Sequence, residues 1–326
     1  LKLLVKKLLI TKWLILLSGI AISQQLPLYG QYMMNGFLIN PAIAGSDGYT
    51  TTSVTIRDHW AGLQNSPKTF AASVQTRVLW KKSSVNRSSG SSSASVDKRS
   101  GRVGLGAYIF NDQNALVDRT GAQIAYAYHI FLNNTQLSFG LAASAFQFKL
   151  DQDKLTFRDS EPLLAEGFDN LIYVPDFTFG MYLLNRNTFL GISAAQLLQT
   201  KINVGSQNID YKMNRHYYFM GGYRIPVSSN TELEPSVMTK VTETGIMQAD
   251  IVLRGIYNEF YWAGISYRTQ SSVGLLLGVR AKKVYFGYAF DYSFSDIRKY
   301  SYGSHELNIS VKFGDSSRRY RWMRRY

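Results

Sequence analysis

Val284-Tyr-Phe-Gly-Tyr-Ala-Phe-Asp-Tyr-Ser-Phe294 is the stretch that decides the fold. Side chains of an extended chain alternate between two faces. Val284, Phe286, Tyr288, Phe290, Tyr292 and Phe294 share one face, and Tyr285, Gly287, Ala289, Asp291 and Ser293 share the other. Six large apolar residues on one face are a liability in water and a requirement in lipid. The same period recurs upstream. Met247, Ala249, Ile251 and Leu253 alternate with Gln248, Asp250, Val252 and Arg254. Thr120, Ala122, Ile124, Tyr126, Tyr128 and Ile130 alternate with Gly121, Gln123, Ala125, Ala127 and His129. A soluble β-sandwich also alternates, but strand length and aromatic strand ends favour the membrane. The expected fold is all-β: an antiparallel transmembrane β-barrel of an outer membrane.

Counting outward gives fourteen candidate strands between residues 50 and 313. They are 50–58, 69–80, 101–111, 119–131, 135–149, 175–184, 187–197, 215–227, 230–241, 246–257, 259–269, 273–281, 283–294 and 304–313. An even number suits a single-chain bacterial barrel with both ends on one side. The connections alternate accordingly. Asn133-Asn134-Thr135, Asn185-Arg186-Asn187, Ser228-Ser229-Asn230, Asn258-Glu259 and Lys282-Lys283 are short and turn-forming, and fall on the side expected to face the periplasm. The long connections 150–174, 198–214 and 295–303 fall on the opposite, extracellular side. The Ser-rich, basic stretch 81–100 breaks the rule. It is long where a short turn is expected, and its composition predicts disorder.

The flanks add compartment. Lys2, Lys6, Lys7 and Lys12 precede the apolar run Trp13–Leu17, and Ala21-Ile22-Ser23 offers small residues for cleavage before Gln24. Residues 1–23 therefore read as a secretory signal, because the apolar run is too short to span a bilayer. The expected organisation is a signal at 1–23, an N-terminal periplasmic segment at 24–48, a barrel at 49–313 and a tail at 314–326. Both termini are expected in the periplasm.

The formal charge of +14 is unevenly spread. Four of those charges are the signal lysines, which leaves +10. Residues 81–102 hold +5 and residues 314–326 hold +4, so the rest of the chain is nearly neutral at +1. Arg318, Arg319, Arg321, Arg324 and Arg325 of the tail are candidates for docking an acidic periplasmic partner. Basic tails also serve simply as solvated charge or contact lipid phosphates. Nucleic acid is not an expected partner in this compartment.

Chemistry is sparse. The chain has no cysteine, which excludes disulfides, thiolate metal sites and an acylated lipoprotein cysteine. His59, His129, His216 and His305 lack metal-motif spacing. There is no Gly-x-Ser-x-Gly elbow and no phosphate loop. Asp58-His59 is an acid–base pair at a loop rim, but adjacency does not orient a general base. The chain is read as a non-enzyme with no cofactor and no metal. A porin or solute channel is the competing reading, because fourteen strands enclose a lumen. Gly104, Gly106, Gly140, Ala142, Ser144 and Gly287 point inward and are small. Such residues leave room for a pore or for something folded inside. Residues 24–48, with apolar Tyr32-Met-Met and Phe37-Leu-Ile39, are the candidate lumen plug.

That segment also carries a resemblance. Gln31-Tyr-Met-Met-Asn-Gly-Phe-Leu-Ile-Asn-Pro-Ala-Ile-Ala-Gly-Ser46 resembles the opening of the PorP/SprF family of type IX secretion outer-membrane proteins of Bacteroidetes. The match continues through Arg57, Trp60, Gly62, Pro67-Lys-Thr69, Val103–Asp112, Leu137–Gly140 and Gly303-Ser-His-Glu306. Asn40, Pro41, Ala42, Ala44 and Gly45 form its most specific block. The resemblance implies a non-enzymatic accessory or anchoring barrel serving protein secretion and, in gliding species, surface display of adhesins. It implies three kinds of partner: periplasmic secretion-ring proteins, outer-membrane components of the same system, and a secreted substrate with a C-terminal targeting domain. Asn40-Pro41 is expected to set an extended approach, and Gly45 to permit the turn into the first strand. Arg57 and Trp60 are expected at the first extracellular rim, with Trp60 an interfacial aromatic. The loop 61–68 is then a candidate substrate contact.

Overall fold

The computed structural model describes residues 29–80, 100–114, 117–150, 172–204 and 209–314. The expected signal, most of the basic loop 81–100, and the five tail arginines lie outside the described residues. The strands run β1 (Thr50–Asp58), β2 (Lys68–Trp80), β3 (Ser100–Asn114), β4 (Val117–Leu132), β5 (Thr135–Leu150), β6 (Ile172–Asn185) and β7 (Thr188–Ala195). A small hairpin follows, β8 (Lys201–Val204) with β9 (Ile209–Lys212). Then come β10 (His216–Tyr223), β11 (Ile225–Pro226), β12 (Thr231–Thr242), β13 (Met247–Tyr257) and β14 (Tyr261–Arg268). β15 (Ser272–Ala281), β16 (Val284–Ser293) and β17 (Ser304–Phe313) complete the chain.

Each long strand pairs antiparallel with its neighbours. β1 closes on β17, with Arg57 opposite Glu306, and β10 bridges β7 to β12 across the outlying hairpin. The result is a closed antiparallel barrel of fourteen strands, namely β1–β7, β10 and β12–β17. These are the strands read from the sequence, with two refinements. The expected strand 215–227 breaks at Arg224, whose side chain turns inward onto Glu234, so that β11 resumes as a two-residue extension. The expected long loop 198–214 contains the β8–β9 hairpin.

The wall obeys the period-two reading. In β16 Phe286, Tyr288 and Tyr292 are exposed, while Tyr285, Gly287, Ala289 and Asp291 are buried. Ile124 on β4 is 67% exposed and Ile251 on β13 is 52% exposed, as lipid-facing aliphatics must be once the bilayer is removed. One end of the barrel carries the tight turns at 133–134, 186–187, 258–260 and 282–283. Asn133, Asn258 and Lys282 take left-handed φ of 48°, 52° and 57° there. The other end carries 59–67, 196–204, 209–215 and 294–303. These are called the short-turn end and the long-loop end below.

Candidate functional site

The interior is occupied by residues 29–48. Their route follows from their partners. Gly30 and Gln31 donate backbone N–H groups to the Glu306 carboxylate at 2.6 and 2.9 Å, in the half of β17 nearest the long loops. Tyr32 donates to Ser236 at 3.0 Å and Asn35 to Ser73 at 3.1 Å, both mid-wall. Two short 3-10 turns follow, Gly36–Leu38 and Pro41–Ile43. Arg77 donates to the Ser46 carbonyl at 2.6 Å, and Lys312 to Asp47 at 3.0 Å, at the short-turn end. The segment therefore threads the barrel from its long-loop half to its short-turn end before β1 begins. This differs from the expected N-terminal segment on the short-turn side. Only its last residues lie there, because the free amides of Gly30 and Gln31 find their acceptor at the opposite end.

The wall has two chemically distinct halves. On β3–β7 the inward residues facing the segment are small. A Cβ at Gly104 would collide with the Ala44 carbonyl, at Gly106 with the Phe37 ring, at Gly140 with Pro41 and Ala42, and at Gly180 with Asn40. Phe37 is fully buried there with Ala125, Ala127 and Ala142. On β1 and β12–β17 the inward residues are charged and paired. Arg57 donates to Asp291 at 2.6 Å and to Glu306 at 2.8 Å. Arg268 binds Asp250 through two hydrogen bonds of 2.8 and 2.9 Å. Glu234 accepts Arg254 at 2.6 Å and Arg224 at 2.9 Å. The near-neutral barrel thus holds many charges in matched pairs, the form in which buried charge is tolerated.

Two cavities flank the segment. The one at the long-loop end is floored by Tyr29, Leu38 and Ile39. The one at the short-turn end is bounded by Met33, Met34, Asp47, Arg186 and Lys312. Burial alone would raise the Asp47 carboxyl, but Lys312 and the Tyr49 N–H outweigh it and hold the group below the usual carboxylate value. Among the described residues no cluster of His, Asp or Glu could hold a metal.

The family model for the type IX secretion system membrane protein PorP/SprF matches residues 21–311, spanning both this segment and the wall that encloses it. The chain belongs to the PorP/SprF family. It is an outer-membrane β-barrel and a membrane component of the type IX secretion system. Among solved structures, Omp33 of Acinetobacter baumannii is similar at 7% identity and a TM-score of 0.44, covering 81% of this chain and 99% of that one. BamA from Haemophilus ducreyi lacking POTRA domains 1-3 is similar at 8% identity and 0.41, covering 81% and 70%. The P. putida toluene transporter TodX is similar at 9% and 0.39, covering 82% and 90%. No curated protein matches.

The PorP/SprF block Asn40–Gly45 sits at the heart of the lumen. Asn40 is extended (φ −134°, ψ 112°), accepts the Ala42 N–H at 3.0 Å, and starts the second 3-10 turn with Pro41 in its first position. Its amide also donates to the Met181 and Ile192 carbonyls at 2.9 and 3.1 Å, tying the segment to β6 and β7. The Ala44 carbonyl accepts from His129 Nε2 at 3.0 Å. Gly45 has φ of 65° and donates to Gln75, and a Cβ there would lie 2.6 Å from the Thr76 carbonyl.

The rim residues divide. Arg57 lies one residue from the long-loop end of β1 with its side chain inside the barrel, 3% exposed, because β1 places it in the inward phase opposite Glu306. Trp60 takes φ of 57° beyond the strand end and lies against His59 with ring centroids 4.1 Å apart. Burial, with the Arg57 and Arg268 charges nearby, lowers the His59 imidazole to about 3. Gly62 leaves room for the Tyr302 ring, and Ala61 exchanges backbone hydrogen bonds with Gly303 and Tyr302 at 2.8 Å each. The Pro67 carbonyl accepts the His59 N–H at 2.8 Å. Asp58 accepts from Ser66, so Asp58 and His59 do not act on one another as a dyad. Glu306 belongs to the Gly303–Glu306 stretch of the resemblance, whereas the sequence gives Asp291, Glu234 and Asp250 no role of their own. The only local signal of these three is that each occupies an inward position in an alternating strand.

Proposed function

We propose that this protein is a non-enzymatic accessory or anchoring barrel that supports secretion or surface display of a substrate, such as an adhesin, with its lumen plugged by residues 29–48. The observation that carries this reading is the seating of the most family-specific block, Asn40–Gly45, against wall positions with no room for a Cβ. A segment bonded to both halves of the wall occupies the path that a freely open pore needs. In this reading residues 1–23 are the export signal, the short-turn end faces the periplasm, and the long-loop end faces outward. The periplasmic face, with residues 81–99 and the tail arginines Arg318, Arg319, Arg321, Arg324 and Arg325, meets secretion-ring proteins. The mated loops 59–67 and 300–303 offer the substrate a surface outside the cell. The porin alternative predicts an open path. Planar-bilayer conductance of the purified protein separates the two, and affinity isolation from native membranes identifies the partners. Low conductance with recovery of secretion components supports the proposal. Porin-like conductance with no such partners overturns it.

A further inference from the structure

The cavity at the long-loop end has a feature that plugging does not explain. Its lining mixes aromatic rings, Phe110, Phe146 and Tyr218 from three different strands, with polar side chains such as Arg119, Gln123 and Asp176. Lys240, 6% exposed, lines the same space. No hydrogen bond or ion pair engages its ammonium among the described residues. Two nearby carboxylates already have cationic partners. Asp250, diagonal to Lys240 across the β12–β13 pair, is held by two of the three Arg268 nitrogens. Asp112 is held by Arg119 and by the Thr69 hydroxyl. Asp176, elsewhere on the cavity wall, accepts the Leu198 amide at 3.2 Å. A cation withdrawn from water and left unpaired is costly. An arriving carboxylate regains that interaction while its apolar body covers the rings.

We infer that this cavity binds an amphipathic carboxylate, with an aromatic or branched apolar body on Phe110, Phe146 and Tyr218 and the carboxylate on Lys240. Tyr29, Leu38 and Ile39 of the threaded segment line the inner side of the cavity. The chemistry is common to a free organic acid and to the carboxyl end of a peptide with an apolar last residue. It goes beyond the proposed accessory role and does not depend on it.

The test uses the full mature protein in lipid nanodiscs, with empty nanodiscs as the blank. Isothermal titration compares 4-phenylbutanoate with 4-phenylbutan-1-ol, and Gly-Gly-Phe with its C-terminal amide. At least one carboxylate is expected to bind about tenfold or more tightly than its neutral twin, the usual scale for a charged hydrogen bond. Preference confined to the phenylbutanoate pair identifies a free acid, and preference confined to the peptide pair identifies a chain end. Lys240→Met should remove that preference and leave binding of the neutral probe unchanged, while Lys240→Arg should keep it. Folding of each variant is checked by heat-modifiable gel mobility. The wild-type comparison stands on its own if a variant misfolds. Equal binding of acid and neutral twin in both pairs overturns the inference, as does a preference that survives Lys240→Met.

Discussion

Replacing Glu306 by Ala should free the start of the threaded segment while leaving the barrel closed. Glu306 accepts three hydrogen bonds, from the Gly30 and Gln31 amides and from Arg57, and is 1% exposed. Arg57 retains Asp291 at 2.6 Å, so it is not left unpaired. The two amides lose their acceptor. A hydrogen bond to a charged group contributes roughly 1.5–3 kcal/mol, and water from the adjoining cavity recovers part of that, leaving a net loss of about 2–4 kcal/mol. At tenfold per 1.4 kcal/mol, the unlatched population rises about thirty- to seven-hundred-fold. The chain has no cysteine, so a Tyr29→Cys reporter gives a single labelling site. Its maleimide labelling rate, measured from the long-loop side in intact cells, should rise by that factor in the Glu306→Ala background. Glu306→Gln keeps one acceptor oxygen and should give a smaller rise. Equal labelling rates in all three backgrounds, with the barrel still heat-modifiable, would refute the latch.

Three further outcomes follow from the same geometry. Gly140→Val suits a strand but forces its side chain into Pro41 and Ala42, an overpacking cost of about 1–3 kcal/mol. Single-channel recording should therefore show higher conductance than wild type. Asn40→Ala removes the bonds to Met181 and Ile192 and the cap on Ala42, at roughly 1–3 kcal/mol. Urea denaturation in lipid vesicles should show the loss, and Asn40→Asp should not restore it, because the amide is the donor. His59 stays neutral in the folded protein down to about 3, whereas an unfolded histidine gains its proton near 6.5. Acid therefore favours the unfolded state, and stability should fall as pH drops from about 6.5 toward 3. A His59→Gln variant should lack that part of the pH dependence in the same denaturation assay.

The wall was legible in the sequence because lipid imposes a rule on every outward residue. Phe286, Tyr288 and Tyr292 had to be apolar whatever their neighbours were, and each alternating run announced a strand. The inward face obeys no local rule. Arg57 meets Glu306 across 249 residues of sequence, and only barrel closure brings them together. Asp291 and Arg268 lie on different strands and meet within that same cluster. The small inward glycines signalled that something fills the lumen, but not which way it runs. Direction depends on where two backbone amides find an acceptor, and the period of a strand carries no trace of that.

A segment that fills its own barrel differs from a bound ligand in one respect. Only Gly48 and Tyr49 separate Asp47, paired with Lys312, from the first residue of β1. Reseating is therefore intramolecular, and the effective concentration of the segment at its site is far above that of any partner. A secretion partner that opened the lumen would need to bind the unseated state more tightly than the seated one by at least the free energy of seating. That free energy is distributed along the chain. The Glu306 latch lies at one end, the Asn40 amide and the fully buried Phe37 in the middle, and Asp47 with Lys312 at the other end. A partner reaching only one mouth acts on only one of these anchors. Loosening of the Gly30 end without opening the pore is thus the outcome a single contact can produce, and it would expose Tyr29 at the long-loop cavity while Asn40–Gly45 stayed in place.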